Sequence, residues 1–154
     1  MKADFLERGG LWVVGQLSLL MLVLLAGFLW SAQWKSTPTR AFGWLFIVTG
    51  AFCGLCGVRA LGWNLTPFPK PSARAALVTT GIYSWMRHPL YTAVGCGGIG
   101  WSLVRESLPA LFCTGLLLVL LDRKARREEA HLVSIFPEYQ GYTKRVKGFI
   151  PWLY

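Results

Sequence analysis

Two long uncharged runs restrict this chain more than any other feature. Leu11 to Trp30 is 20 residues without a charge, and Ala41 to Val58 is another 18. As helices rising about 1.5 Å per residue, both reach across roughly 30 Å of hydrocarbon. Composition points the same way, with 54% of the residues hydrophobic and only 15% charged, a balance outside the ordinary soluble range. The expected fold is all-α and membrane-embedded.

Two further apolar stretches, Leu90 to Val104 and Leu108 to Leu121, are 15 and 14 residues long. Segments of that length also suit buried soluble helices. We read them as spans, because Arg105 and Arg123 can extend their stems toward headgroups and the break RESL permits an antiparallel hairpin. A single domain over residues 1–154 results, with spans at about 11–30, 41–58, 89–104 and 108–123. A cytoplasmic loop covers 59–88, and a C-terminal helical extension lies in 124–154.

The charges test this layout. With the N-terminus inside, 13 of the 16 Lys and Arg residues fall on the cytoplasmic side, including Lys70, Arg74 and Arg87; Lys35, Arg40 and Arg105 fall outside. That asymmetry is what the positive-inside rule expects, and both termini are then cytoplasmic. The net charge of +9 follows from topology and anionic lipid, without nucleic acid as a partner. A bacterial inner membrane is expected rather than the endoplasmic reticulum. The first apolar run is too long for a signal peptide and lacks a small-x-small cleavage site, so it is read as retained.

Several motifs have plain structural readings. Cys53, Cys56, Cys96 and Cys113 all lie in expected spans, where CxxC reads as small residues for helix packing. Gly50 and Gly54, and the GCGGIG stretch from Gly95 to Gly100, allow close helix approach. The sequon at Asn64 lies on the cytoplasmic side and is discounted. No metal cluster, phosphate loop or nucleophile pattern is present.

The informative segment is GIYSWMRHPLY, residues 81–91. Proline is favoured in the first helical turn, so Pro89 marks a helix start with His88 near its N-cap. The positive end of that helix, reinforced by Arg87, suits an anion. If the next helix returns antiparallel, Glu128 and Glu129 reach the same level about one turn beyond the membrane. An anion receptor and a carboxylate pair would then face one small volume, matching a zwitterion. A solvated charged helix face for RREE and a capping role for His88 are the plain alternatives.

LVTTGIYSWMRHPLY, followed by RREEAHLVSIFPEYQGYTKRV, resembles the integral-membrane isoprenylcysteine carboxyl methyltransferase and phospholipid methyltransferase group. The matching boxes are Arg87, His88, Pro89 and Tyr91; Glu128 and Glu129; and Phe136 to Val146. The resemblance implies S-adenosylmethionine as cofactor, with His88 and Tyr91 lining its site. It implies that Glu129, alone or with Glu128, takes the methionine amine, and that Leu77, Val78, Gly81 and Tyr83 border the adenosine. Arg145 matches an arginine associated with an acceptor carboxylate, and Glu128 is the nearest base for an amine acceptor. The acceptor is expected to be lipophilic, either a prenylcysteine-like carboxylate or a lipid amine. Lys147 and Gly148 depart from the pattern. The competing readings are an NADPH-dependent membrane reductase of the sterol type, disfavoured by Leu90, Thr92 and RREE, and a non-enzymatic membrane subunit.

Overall fold

The computed structural model describes residues 2–69 and 76–151, with the side chains of residues 2–4 left aside. The loop cations Lys70 and Arg74 lie outside the described residues. Six α-helices follow in order: α1 (Lys2–Glu7), α2 (Gly10–Leu29), α3 (Thr37–Leu61), α4 (Pro89–Val104), α5 (Leu108–Ile135) and α6 (Tyr139–Arg145). Single 3₁₀ turns occupy Gly62–Asn64 and Gly81–Ser84. The short helix α1 precedes the first expected span and has no counterpart in the sequence reading.

Local signals explain the helix ends. Ser36 caps α3 and Ser107 caps α5 through hydroxyls that accept from Thr39 and Ala110 backbone N–H groups, and each of these helices has a proline in its first turn, as N-terminal positions favour. Pro89 opens α4 behind the N-cap residue His88, as expected. Two helices are long and apolar enough to cross a membrane, Gly10–Leu29 and the stretch Thr37–Asn64. Their outer faces expose Leu17, Met21, Phe28, Trp44, Val48 and Phe52, a composition suited to lipid rather than water.

The helices pair as α3 with α4, α2 with α5 and α4 with α5. A Cβ added at Gly50 would lie 2.9 Å from the Ala93 carbonyl oxygen and 3.1 Å from the Cys96 Cβ. The expected packing role of Gly50 is therefore met at the α3–α4 crossing, where the backbones approach too closely for a larger residue. All four cysteines are free thiols. Between α2, α4 and α5, Val23, Leu117 and Leu121 form a buried cluster with Leu19, Tyr91, Val94 and Trp101 packed around it.

At the end of the bundle away from Pro89, the RESL break is more than a short connection. Glu106 is 1% exposed, accepts from the Ser36 N–H at 2.7 Å and pairs with Arg40 at 2.8 Å. Its backbone has φ 52°, an uncommon conformation for a residue with a side chain. Hydrogen bonding from Arg40 and from the Ser36 N–H holds its carboxyl below the ordinary range. Arg105 donates to the Gly27 carbonyl at 3.0 Å, so it ties α4 to α2 as well as marking the segment's end.

Beyond the apolar half of α5, the same helix continues without a break through DRKARREEA to Ile135. Pro137 follows, and α6 turns back. Its C-terminal neighbour, residues 146–149, runs beside Met86–His88: Met86 and Lys147 form an isolated parallel bridge, and the N–H groups of Arg87 and His88 donate to the Lys147 and Gly148 carbonyls at 2.8 and 2.9 Å. Thr92 adds a hydroxyl bond to the Phe149 carbonyl at 2.8 Å. Residues 146–149 thus form a strap across the start of α4.

Candidate active site

The start of α4 and the charged C-terminal half of α5 meet side by side, as antiparallel neighbours should. His88 Nε2 lies 2.8 Å from Glu129 Oε1, and Arg87 Nε donates to the same oxygen at 2.8 Å. Tyr91 donates its hydroxyl to Glu128 Oε2 at 2.7 Å. Its ring stacks on the His88 imidazole, with centroids 5.3 Å apart and planes 11° from parallel. Five of the residues singled out in the sequence are therefore joined by direct contacts: Arg87 and His88 on Glu129, and Tyr91 on Glu128, with the His88–Tyr91 stack linking the two groups.

The two glutamates do different things. Successive residues on an α-helix point about 100° apart, so adjacent carboxylates cannot serve one face. Glu128 lines a cavity with Tyr91, His88, Arg87, Tyr83, Leu77 and Val78; its walls are completed by Leu61, Asn64, Thr66, Phe68, Ala76, Leu90, Leu132, Phe136, Tyr139 and Tyr142. The cavity opens to solvent, and its interior volume is about 110 Å³. Glu129 instead lines a second cleft with Arg87, Asp122, Ala125, Arg126, Thr143, Lys147, Gly148 and Phe149. Arg87 belongs to both and forms the wall between them, its Nη1 also donating to the Thr143 carbonyl at 3.3 Å.

Electrostatics follows this split. Burial by itself raises the Glu129 carboxyl, but the hydrogen bonds from His88 and Arg87 outweigh it and hold the group below the ordinary carboxylate range. The phenols around the cavity lined by Glu128 are held neutral. Burial first, then the charge of Glu128, pushes Tyr83 up. Burial raises Tyr139, with Glu129 adding to it, and burial pushes Tyr142 up to about 12. Tyr142 donates its hydroxyl to the Tyr83 carbonyl, fixing the 3₁₀ turn that carries Tyr83 against α6.

The loop expected to border a nucleoside is in place. Residues 76–79 run without helix or strand, anchored where the Ala76 N–H donates to Asn64 Oδ1 at 3.1 Å, and Leu77 and Val78 face the cavity. Gly81 is not a wall residue. It sits at φ 62°, a left-handed conformation that glycine adopts without strain, and so shapes the turn that presents Tyr83.

Arg145 also stands apart. It lies exposed on α6, its Nε donating to the Gly141 carbonyl one turn back at 3.3 Å, and it lines neither cavity. The residues passed over in the sequence include Asn64, the aromatic set Phe136, Tyr139 and Tyr142, and Lys124. The aromatic spacing of three, which puts successive residues on one helical face, was a signal that could have found the second group.

Comparison with known proteins gives the family. The family model described as phospholipid methyltransferase matches residues 38–139, and the chain belongs to that family. It is 32% identical over 150 residues to the nickel-cobalt-cadmium resistance protein NccN of Alcaligenes xylosoxydans xylosoxydans, covering 96% of this chain and 66% of that one. It is 28% identical over 128 residues to the protein-S-isoprenylcysteine O-methyltransferase of Xenopus laevis, covering 76% of this chain and 42% of that enzyme. Among solved structures, the eukaryotic intramembrane Ras methyltransferase ICMT shares the fold, with a TM-score of 0.70 at 21% identity over 94% of this chain and 53% of that one. The chain thus spans 66% of the bacterial relative and 42% and 53% of the two eukaryotic proteins compared. With this family and these apolar helices, the chain is a membrane protein.

Proposed function

We propose that the chain transfers a methyl group from S-adenosylmethionine to a lipophilic acceptor at the cytoplasmic face of a membrane. The observation that carries this reading is the cavity lined by Glu128: one carboxylate, His88, Tyr91, the apolar loop with Leu77 and Val78, and the aromatic residues Tyr83, Phe136, Tyr139 and Tyr142 converge at the open end of the α4–α5 hairpin.

The donor set fits the cofactor. Glu128 supplies a negative charge for an ammonium, while the positive end of α4 and Arg87 favour a carboxylate. Leu77, Val78, Phe136 and Tyr83 supply apolar and aromatic surface for a purine. Glu128 takes the role assigned in the sequence to Glu129, because Glu129 is already engaged by Arg87 and His88. Glu129 then orients those two residues.

When bound, the cofactor supplies an already activated methyl group on a sulfonium. The chain's own residues need only align the acceptor, exclude water and hold charges in place. His88 is positioned on both sides, stacked on Tyr91 and tilted against Phe149 at 5.5 Å. A carboxylate acceptor requires no base. An amine acceptor must lose a proton, and Glu128 is the carboxylate in the cavity that can accept it.

Four spans, with α4 and the first half of α5 as the third and fourth, put this cavity at the inner leaflet. A lipid-like acceptor then reaches it from the bilayer while the soluble cofactor arrives from the cytoplasm. The exposed apolar faces of α2 and α3 support this placement. Arg145, if it touches an acceptor, does so outside the cavity, at its exposed position on α6.

Isothermal titration of the detergent-solubilised protein with S-adenosylhomocysteine and, separately, NADPH is the direct test. Micromolar binding of the first and none of the second is expected. Binding of NADPH alone reverses the assignment.

A further inference from the structure

Lys124 is buried to 2% exposure, although it sits in a charged run that would otherwise read as solvated surface. A buried ammonium is costly unless its donors are matched. Its Nζ donates to Gln16 Oε1 of α2 at 2.6 Å and lies 5.2 Å from the centroid of the Tyr91 ring, within cation–π range. One turn along α5 stands Glu128, whose carboxylate accepts the Tyr91 hydroxyl. Lys124 therefore lies behind the cavity wall, between the apolar cluster of the bundle and the Tyr91–Glu128 pair.

The groups facing Glu128 explain why a cation is placed there. Tyr91 comes from α4, Tyr83 from the 3₁₀ turn and Tyr139 from α6, and all three are phenols. Arg87 and His88 share the cavity but are bonded to Glu129. Lys124 contributes the positive charge on the α5 side. Burial lowers its pKa while the charge of Glu128 opposes that shift. Gln16, a polar residue in an otherwise lipid-compatible helix, is accounted for by this bond. It lies on α2, ahead of the residues that match the family model.

We infer that Lys124 is a positioning residue of the cofactor cavity: from behind the wall it holds the Tyr91 ring, and through the Tyr91 hydroxyl the Glu128 carboxylate, in place, and through Gln16 it makes α2 part of the site. This rests on the cofactor reading proposed above. Lys124 touches neither cofactor nor acceptor and acts through its neighbours.

The test uses the full chain in detergent, with S-adenosylhomocysteine as the probe, titrated at pH 6 and pH 8 alongside a thermal unfolding scan. Lys124→Met is expected to weaken binding more than tenfold at both pH values, because Tyr91 and the Glu128 carboxylate it bonds lose the group that holds them from behind. Lys124→Arg keeps the charge and is expected to stay within threefold of wild type at both values. Gln16→Leu is expected to fall between them, with a loss of at least threefold.

A role in packing alone predicts lower unfolding temperatures with the affinity of the folded Lys124→Met protein unchanged, and that result overturns the inference. Should Lys124→Met not fold, a Gln16→Leu protein with wild-type affinity at both pH values overturns it equally. Wild-type protein that binds no S-adenosylhomocysteine refutes the cofactor reading and this inference together. Wild-type binding with Lys124→Met unchanged refutes this inference alone.

Discussion

Glu128→Gln separates the two adjacent carboxylates most cleanly. The amide keeps an oxygen for the Tyr91 hydroxyl, now 2.7 Å from Glu128 Oε2, so the wall geometry survives and only the charge is lost. A hydrogen bond to a charged group is worth about 1.5–3 kcal/mol. Losing the charge that meets the ligand's ammonium should therefore weaken S-adenosylhomocysteine about 10- to 150-fold. Glu129→Gln should behave differently, because that carboxylate serves Arg87 and His88 rather than the cavity. It should cost about 1–3 kcal/mol of stability, seen as a lower unfolding midpoint, with ligand affinity of the folded protein changed less than about threefold. Calorimetric titration of both variants, with unfolding scans in the same detergent, reads both effects. The opposite order, with Glu129→Gln abolishing binding and Glu128→Gln neutral, would show that the amine sits on the other side of Arg87.

Acid should release the Glu129 contacts. Its carboxyl is held below its usual range, so its stabilisation is complete above about pH 4.3 and is lost as pH falls through the lower folded value; unfolding midpoints measured from pH 6 to pH 3 should fall more steeply for wild type than for Glu129→Gln. At the α3–α4 crossing, Gly50→Val should destabilise by about 1–3 kcal/mol through overpacking, whereas Gly54→Ala, whose new Cβ would meet Ala93 at an ordinary 3.4 Å, should be close to neutral; thermal scans distinguish them. Reporter fusions at the two termini should both read cytoplasmic, and opposite sides would require an odd number of spans. Arg145→Ala should leave S-adenosylhomocysteine affinity within about twofold by the same titration, since its side chain lies outside the cavity.

What the sequence made readable was local. Uncharged runs placed α2 and α3 within a few residues, because length and charge alone decide what can lie in hydrocarbon. Pro89 marked the start of α4 because its ring fits a first turn, and the short RESL break brought α5 back beside it. Those steps were enough to bring Arg87, His88 and Tyr91 against Glu128 and Glu129. The division of labour between the glutamates was not readable, because it depends on the rotation of α5 about its own axis relative to α4, which packing sets. The same is true of Lys124 and Gln16, which are 108 positions apart and look like an unremarkable surface lysine and a stray polar residue. Glu106 was hidden for a related reason: its partners, Ser36 and Arg40, belong to a different hairpin.

The strap formed by residues 146–149 also has a bearing on biogenesis. Arg87 and His88 are fixed in part by carbonyls some 60 positions downstream in the chain, so helices already threaded into the bilayer would still lack a finished pocket until residues 146–149 have been synthesised and laid across the start of α4. A nascent chain arrested after α6 should therefore insert with its helices in register yet be unable to hold a ligand, which makes assembly of the pocket a later event than assembly of the bundle.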